Sequence, residues 1–289
     1  MPLKEIKHRI NSVSSILKTT AAMKMVSSAK LHKAQNTANG MLPYADALRR
    51  VTDALLGTDH AGPLTDSRPV RRTTLVAFAS DSSLCGVFNA NVIRETLHTI
   101  DRLRAASPEA EVSLYTIGRK AYEALAKSGC TVRGHLEGMA MHPDYDAVAA
   151  LADDFMQQFI AHQTDRVELI YHHFKSTGTQ LLVHDPLLPL ALPTHADAST
   201  PTDYLVEPSR QELLEALIPK TIRLKLYAAV LDSNTSEHAA RMLAMQTASE
   251  NADQLINSLT VAYNKQRQQA ITTELLDIAS GTSETASLG

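Results

Sequence analysis

"LKEIKHRINSVSSILKTTAAMKMVSSAKLHKAQ", residues 3–35, decides the fold, because its apolar residues return every three and four positions well past the length of an ordinary domain helix. Leu3, Ile6, Ile10, Val13 and Leu17 share one stripe, and the same heptad register resumes at Leu31, Ala34, Ala38, Met41, Ala45, Leu48 and Leu55. Between the blocks the stripe falls on Thr20, Lys24 and Ser27. The spacing therefore predicts one continuous helix whose zipper thins for about two heptads. Pro43 should bend it by removing a backbone donor, and Gly57, followed by "TDHAGPLTDSRP", should end it.

A second long pattern follows "HADASTPTDYLVEPS", residues 195–209. Ser209 has Glu212 three residues later, a capping box, and the helical period then persists to about Ser280, with Pro219 bending it near the start. Its stripe runs Leu214, Leu217, Leu224, Leu231, then Thr235, His238, Met242, Met245, Ser249 and Ala252, then Ile256, Leu259 and Tyr263. At about 1.5 Å per residue the two helices span roughly 80 and 100 Å. No small domain buries so much helix, so the two are expected to pair with each other, antiparallel, with the C-terminal one protruding beyond the N-terminus.

Between them the period changes. "TTLVAFA" (73–79), "VSLYTIG" (112–118), "VELIYHHF" (167–174) and "QLLVHDPLLPL" (180–190) read as strands, and the helical stretches 91–106, 119–127 and 144–162 are of crossover length. The fold class is α/β: a long antiparallel coiled coil of N- and C-terminal helices with an inserted Rossmann-like α/β domain. The expected divisions are 1–57, 72–203 and 209–281, with 282–289 as a tail.

Composition agrees with this reading and narrows the chemistry. Of 289 residues 44% are hydrophobic, but only 4% are aromatic and there is no Trp, a balance that favours long helices. The formal charge is -3, yet residues 1–50 carry nine Lys or Arg against Glu5 and Asp46, which leaves +7 on the first arm. Such an arm suits an acidic protein, a phosphate backbone or an anionic surface. Cys85 and Cys130 are too far apart for a CxxC motif and too few for a disulfide framework, so a reducing compartment is expected. No apolar run reaches membrane-span length, and the first residues lack a signal-peptide core.

The first strand runs into "SDSSLCGVFNAN", residues 80–91, where an α/β fold places a nucleophile or a phosphate loop. A Cys85 nucleophile needs a base, and none of the twelve His forms a recognisable motif with it. Gly86 stands alone where a phosphate cradle needs several glycines. The turn therefore reads as a tight bend over a buried thiol. In "YHHF" (171–174) the adjacent His172 and His173 point to opposite strand faces and do not share an ion easily. His135, His142 and His184 have no partner at ligand spacing. Two other classes remain: an α/β enzyme using Cys85 or the 80–83 turn, and a basic coiled-coil nucleic-acid binder, which the absence of aromatic interleaving in the arm disfavours.

Residues 3–35, "SDSSLCGVFNAN" and "EHAARMLAMQTASENADQLINSLTVAYNKQRQQAITTELLDIASG" (237–281) together resemble the gamma subunits of rotary ATP synthases, over the whole chain and in the right order. The resemblance implies a non-catalytic central shaft, without cofactor or metal, that turns inside a ring of alternating alpha and beta subunits. It also implies a foot that meets the epsilon subunit and the membrane ring of c subunits, so that proton flow drives rotation. It places the chain peripherally on the cytoplasmic side of a bacterial inner membrane, bound through partners and not to nucleic acid. By the same resemblance Met23 and Lys24, in "AMKMV", lie near the beta-subunit lever, and Arg241, Arg267, Gln268 and Thr272 near a polar catch. Gln269 and Ala240 stand where the family often has Ala and Ser. Asp81, Leu84, Cys85, Gly86, Phe88 and Asn89 match a family signature turn with no known catalysis.

The thin seam then acquires a physical reading. Deep aromatic anchors would lock one angle of a shaft by several kcal/mol, whereas Ala21, Ala22, Met23, Met25, Ser27, Ser28 and Ala29, with Met242 and Met245 opposite, offer small or adaptable packing. The basic arm would complement the acidic lever at long range.

Overall fold

A computed structural model describes residues 2–56, 62–107, 109–191, 205–207 and 209–286. The expected stop at Gly57 and most of the 195–209 linker lie outside them. Two helices frame the chain: α1, Leu3–Leu56, is unbroken through Pro43, and α5, Arg210–Ala286, through Pro219. Among the described residues between them lie five strands and three helices: β1 (Arg72–Phe78), α2 (Phe88–Ala106), β2 (Glu111–Ile117), α3 (Arg119–Lys127), β3 (Val132–Leu136), α4 (Tyr145–Ile160), β4 (Arg166–Ser176) and β5 (Thr179–Leu188). The chain divides into two compact units, one of residues 1–26 with 242–289, the other of residues 27–241.

In the larger unit the sheet order is β3-β2-β1-β4-β5, parallel except for the antiparallel hairpin β4–β5. β1 is central and almost wholly buried, as a continuous apolar run with both faces covered requires. Its alternation divides the core. Val76 and Phe78 pack with Phe155 and Phe159 of α4, Leu55 and Leu56 of α1, and Ile222 and Leu226 of α5. Leu75, Ala77 and Ala79 pack with Val92 and Ile100 of α2 and Ala121 and Leu125 of α3. The sheet is thus a middle layer between α2–α3 and a layer built from α4, α1 and α5.

β3 escaped the sequence reading. It is a five-residue edge strand, "VRGHL", with a glycine in the middle and no clean alternation. Gly134 is required there, because a Cβ would stand 2.5 Å from the Tyr115 ring on β2. The α4 helix is announced by its cap: Asp144 accepts a hydrogen bond from the Ala147 amide at 3.1 Å. Asp144→Ala should lower stability by about 1 kcal/mol in urea denaturation.

The entry to the sheet is fastened by Asp165. Its carboxylate accepts from the Arg71 and Arg72 amides at 3.1 and 2.9 Å and lies 3.0 Å from Arg68 Nε. Burial alone would raise its pKa. The Arg72 and Arg71 amides and the Arg72 and Arg68 charges outweigh that and hold it below the usual carboxylate value. Arg68 also donates to the carbonyls of Phe159 and Thr164 and lies 4.1 Å over the Phe159 ring, so the segment before β1 is tied to the end of α4.

The α1 and α5 segments of this unit run antiparallel. Leu55 O accepts from Arg210 Nε at 2.6 Å, Thr52 Oγ1 meets Thr221 Oγ1 at 3.0 Å, and Lys30 lies near Glu237 and His238. The start of α5 carries half of the expected capping box: Ser209 Oγ accepts from the Glu212 amide at 3.2 Å, while Glu212 Oε1 accepts from the Ser209 hydroxyl at 3.1 Å in place of its amide. In the smaller unit Ile6, Val13 and Thr20 of α1 and Met245 and Ala252 of α5 are buried, and Ser249 Oγ donates to Thr20 Oγ1 at 2.8 Å.

The heptad register runs through all of α1. Every stripe position from Leu3 to Leu55 is buried or half-buried, including Thr20, Lys24 and Ser27. The thin stretch is a seam that buries Thr20 and Ser27, and the Thr20 hydroxyl finds a partner in Ser249. Thr20 Oγ1 also reaches the carbonyls of Ile16 and Leu17 at 3.1 Å. The corresponding reading of α5 is corrected in the same way: Thr235 and His238 lie in its most deeply buried stretch, residues 229–239. α5 also continues to Ala286, through residues expected to form a tail from 282.

Candidate functional site

The C-terminal ends of β1 and β4 lie where the strand order turns back, the place where an open α/β sheet ordinarily receives a ligand. In this chain α5 occupies it. Asn234 Nδ2 donates to the Ala140 carbonyl at 2.6 Å, Ser236 Oγ to the His172 carbonyl at 2.9 Å, and Asp232 Oδ1 accepts from the Phe174 amide at 2.7 Å. The gap left among Phe78, Ala79, Asn234 and Glu237 is too narrow for water.

The turn between β1 and α2 is a closed network. Asn89 Oδ1 accepts from the Ser80 amide at 2.9 Å, and its Nδ2 donates to Ser80 Oγ at 2.8 Å and lies 3.2 Å from Cys85 Sγ. Asp81 Oδ1 accepts from the Arg119 amide at 3.0 Å, tying the turn to the start of α3. Leu84 and Gly86 adopt φ of 69° and 61°. Gly86 takes that conformation freely, whereas Leu84 is held in it by its surroundings. Gly118, at φ 94°, closes the other side, since a Cβ there would stand 1.9 Å from the Ala79 carbonyl oxygen.

Cys85 is buried, and its sulfur neighbours are Ser80 Oγ at 3.7 Å, Asn89 Nδ2 and the Ser82 carbonyl. None of these is a base able to generate a thiolate, which removes the support for a nucleophilic Cys85. Phe88 stacks on the buried His172 with ring centroids 4.5 Å apart. Of the signature residues, Leu84 alone turns a large apolar side chain outward, 59% exposed, and Val87 beside it is 68% exposed.

Arg241, expected at a partner-facing catch, is placed differently. Its side chain is only 11% exposed; Nη1 donates to the Ser83 carbonyl at 2.6 Å and Nη2 to Glu237 Oε1 at 2.7 Å and to the Ser82 carbonyl at 3.4 Å. A planar guanidinium is suited to grasp two successive carbonyls and a carboxylate together. Burial raises the pKa of Glu237, against which the charge and hydrogen bonds of Arg241 act. The adjacent His238 is pushed down to about 4 by burial, with Lys30 and Arg241 adding to the effect, and His172 reaches about 4 by burial alone. Their Nδ1 atoms have no hydrogen-bond partner among the described residues.

The remaining residues of interest lie apart from this node. Met23 and Lys24 are half-buried on α1, and Met25 is 68% exposed. Arg267, Gln268 and Thr272 are exposed on α5, with Thr272 Oγ1 bonded only to the carbonyl one turn back. His173 faces outward and pairs with Asp232 at 2.6 Å, and His184 with Glu95 at 2.9 Å, carboxylates that no sequence spacing disclosed. A cavity of about 890 Å³ is lined in part by Leu56, Leu64, Ile160, Leu214 and Ile218.

Against this geometry the likenesses to known proteins are consistent. A sequence model of the ATP synthase family matches residues 2–284. An ATP synthase gamma chain of Bacteroides fragilis is 48% identical over 285 residues, covering 96% of this chain and 98% of its own. That of Parabacteroides distasonis is 47% identical over 281 residues, covering 96% and 97%. The central stalk and c-ring structure of the Tetrahymena thermophila mitochondrial ATP synthase aligns with a TM-score of 0.62 at 25% identity, over 80% of this chain and 99% of the other. The rotor of the Euglena gracilis mitochondrial enzyme aligns at 0.64 and 18% identity, over 93% and 98%. The family match over residues 2–284 and relatives 47–48% identical over nearly the full length agree with a mixed sheet docked on α5, and the chain belongs to the ATP synthase gamma-chain family.

Proposed function

We propose that this chain is the central rotor shaft of an ATP synthase, coupling proton flow through a membrane ring to ATP synthesis or hydrolysis in a ring of alpha and beta subunits. The observation that carries the reading is the C-terminal part of α5. From Ala270 to Glu274 every residue is exposed, and Leu275, Leu276 and Ile278 are 61%, 64% and 60% exposed. Apolar helix left this bare in water implies a surrounding partner. An encircling ring of alpha and beta subunits supplies one. Met23 and Lys24 then face the beta lever, and Arg267, Gln268 and Thr272 make the polar catch. Arg241 leaves the contact set, because its side chain is almost buried and bonded to Glu237 and the Ser83 carbonyl.

The inserted domain, residues 72–203, is the part that meets the epsilon subunit and the c ring, while residues 1–57 and 209–281 form the shaft. Catalysis belongs to the beta subunits, and the gamma chain regulates it through its angle. No helix of the described residues is long and apolar enough to cross a membrane. The chain is held at the cytoplasmic side of a bacterial inner membrane through its partners.

The test is reconstitution. Mixed with its alpha and beta subunits, the chain should co-purify as a complex with ATP hydrolysis well above that of the subunits without it. No co-purification together with unaltered turnover would remove the rotor reading.

A further inference from the structure

We infer that Arg241 is a positioning residue: it rivets the β1–α2 turn to α5, so that the sheet and this stretch of helix rotate as one piece, and it acts through the turn without touching a partner subunit. The proposal rests on the rotor reading above for its purpose and on the geometry of the 27–241 unit for its content.

Four side chains of α5 stitch the helix to the sheet's C-terminal edge. Asp232 and Ser236 reach β4, and Asn234 reaches the Ala140 carbonyl. Arg241 alone among them reaches the turn after β1, through the carbonyls of Ser82 and Ser83. At about 1.5 Å per residue it lies roughly 13 Å along the helix from Asp232. Before Asp232 the same helix is already held by Arg223 to Asp153 of α4, by Lys225 to Asp185 of β5 and by the core packing of Ile222 and Leu226; attachments spread along a rod resist rocking and twisting more the further they reach. Arg241 extends that attachment to its C-terminal limit and adds the β1–α2 turn to it.

The turn is built to accept that load. Asn89 ties Ser80 to the start of α2, and Asp81 ties it to α3. The two carbonyls that Arg241 grasps come directly before Leu84, whose left-handed backbone persists only where neighbours over-determine it. Glu237 holds the guanidinium from the side at 2.7 Å, with both side chains almost buried. Beneath the turn Cys85 is 1% exposed. It is a built-in reporter of whether the rivet is closed.

Two measurements test this on the full chain with Arg241→Met/Glu237→Gln, in which no buried charge is orphaned. The first is alkylation of the two thiols by a maleimide. Cys85 should react about tenfold faster than in the parent, through easier local opening, with Cys130 unchanged. An unchanged Cys85 rate, or a parallel rise at Cys130 that marks general loosening, overturns the proposal. The second is the angular fluctuation of a bead on the exposed end of α3 while the shaft is held in its alpha–beta ring. Its variance should about double in the variant, and fall between for Arg241→Lys, whose single ammonium lacks the fork. Equal variance in parent and variant overturns the rivet. Failure of the parent chain to assemble or rotate instead overturns the rotor reading, and the thiol measurement then still decides whether the rivet exists.

Discussion

Acidification from pH 6.5 to pH 4 should remove about 5 kcal/mol of stability from this chain, because His172 and His238 remain largely neutral in the fold until about pH 4. Above about pH 7.5 both folded and unfolded imidazoles are neutral, and the stability is fully present. Below it the unfolded chain takes up two protons that the folded chain refuses. Each costs about 1.4 kcal/mol per pH unit, so the combined slope is roughly 2.7 kcal/mol per unit. The loss is comparable to the whole stability of an ordinary domain, about 5–15 kcal/mol.

Each ring is kept neutral by its own surroundings. His172 is 3% exposed and stacked on Phe88, and its Nδ1 has no hydrogen-bond partner among the described residues. His238 is 5% exposed, between the positive charges of Lys30 on α1 and Arg241 on its own helix. Glu237, with its raised pKa, works in the opposite direction, since its burial cost is relieved as it protonates, and Asp165 adds acid lability only at still lower pH. Urea titrations at several pH values give the slope directly. His172→Phe, which keeps the stack, and His238→Gln should each remove about half of it. If the double variant is as acid-sensitive as the parent, the assignment to these two imidazoles is wrong.

Arg241→Met should cost about 3–5 kcal/mol, the range for removing one partner of a buried ion pair. The carboxylate of Glu237, with a side chain 6% exposed, would lose the cation it is bonded to, with Lys30 left only nearby, and the carbonyls of Ser82 and Ser83 would lose their Arg241 donors. In the Glu237→Gln background the same change should cost less, about 1–3 kcal/mol, because only neutral groups are then left unpaired. The difference between the two costs is the coupling of the pair. Equal costs in both backgrounds would mean that Arg241 stabilises by packing alone.

The distribution of successes and misses along the chain follows the range of the forces involved. The stripe from Leu3 to Leu55 was legible because helical periodicity is a local property, and the structure keeps its register even at Thr20, Lys24 and Ser27. The Ser209–Glu212 box was legible for the same reason, since donor and acceptor are three residues apart. β1, β2, β4 and β5 stood out by apolar content, and the tight turn over a buried Cys85 by its flanking residues. β3 did not stand out. Its polar edge pattern and Gly134 make sense only once the Tyr115 ring lies against them.

Arg241 marks the limit of such reading most clearly. On a helical wheel it is a polar residue beside a thin seam, equally suited to water, a partner subunit or the chain itself. Its partners at Ser82 and Ser83 stand 159 and 158 residues away, and no local period encodes them. The same holds for Asp232 with His173 and for Glu95 with His184. Sequence alone therefore determined the long helices, their register, the α/β insert and the family, because these rest on backbone hydrogen bonding and repeated apolar burial. Only the tertiary structure decided that α5 fills the sheet's ligand crevice and that its polar stretch is a buried joint, because a polar group's role depends on which distant donor or acceptor folding brings within about 3 Å.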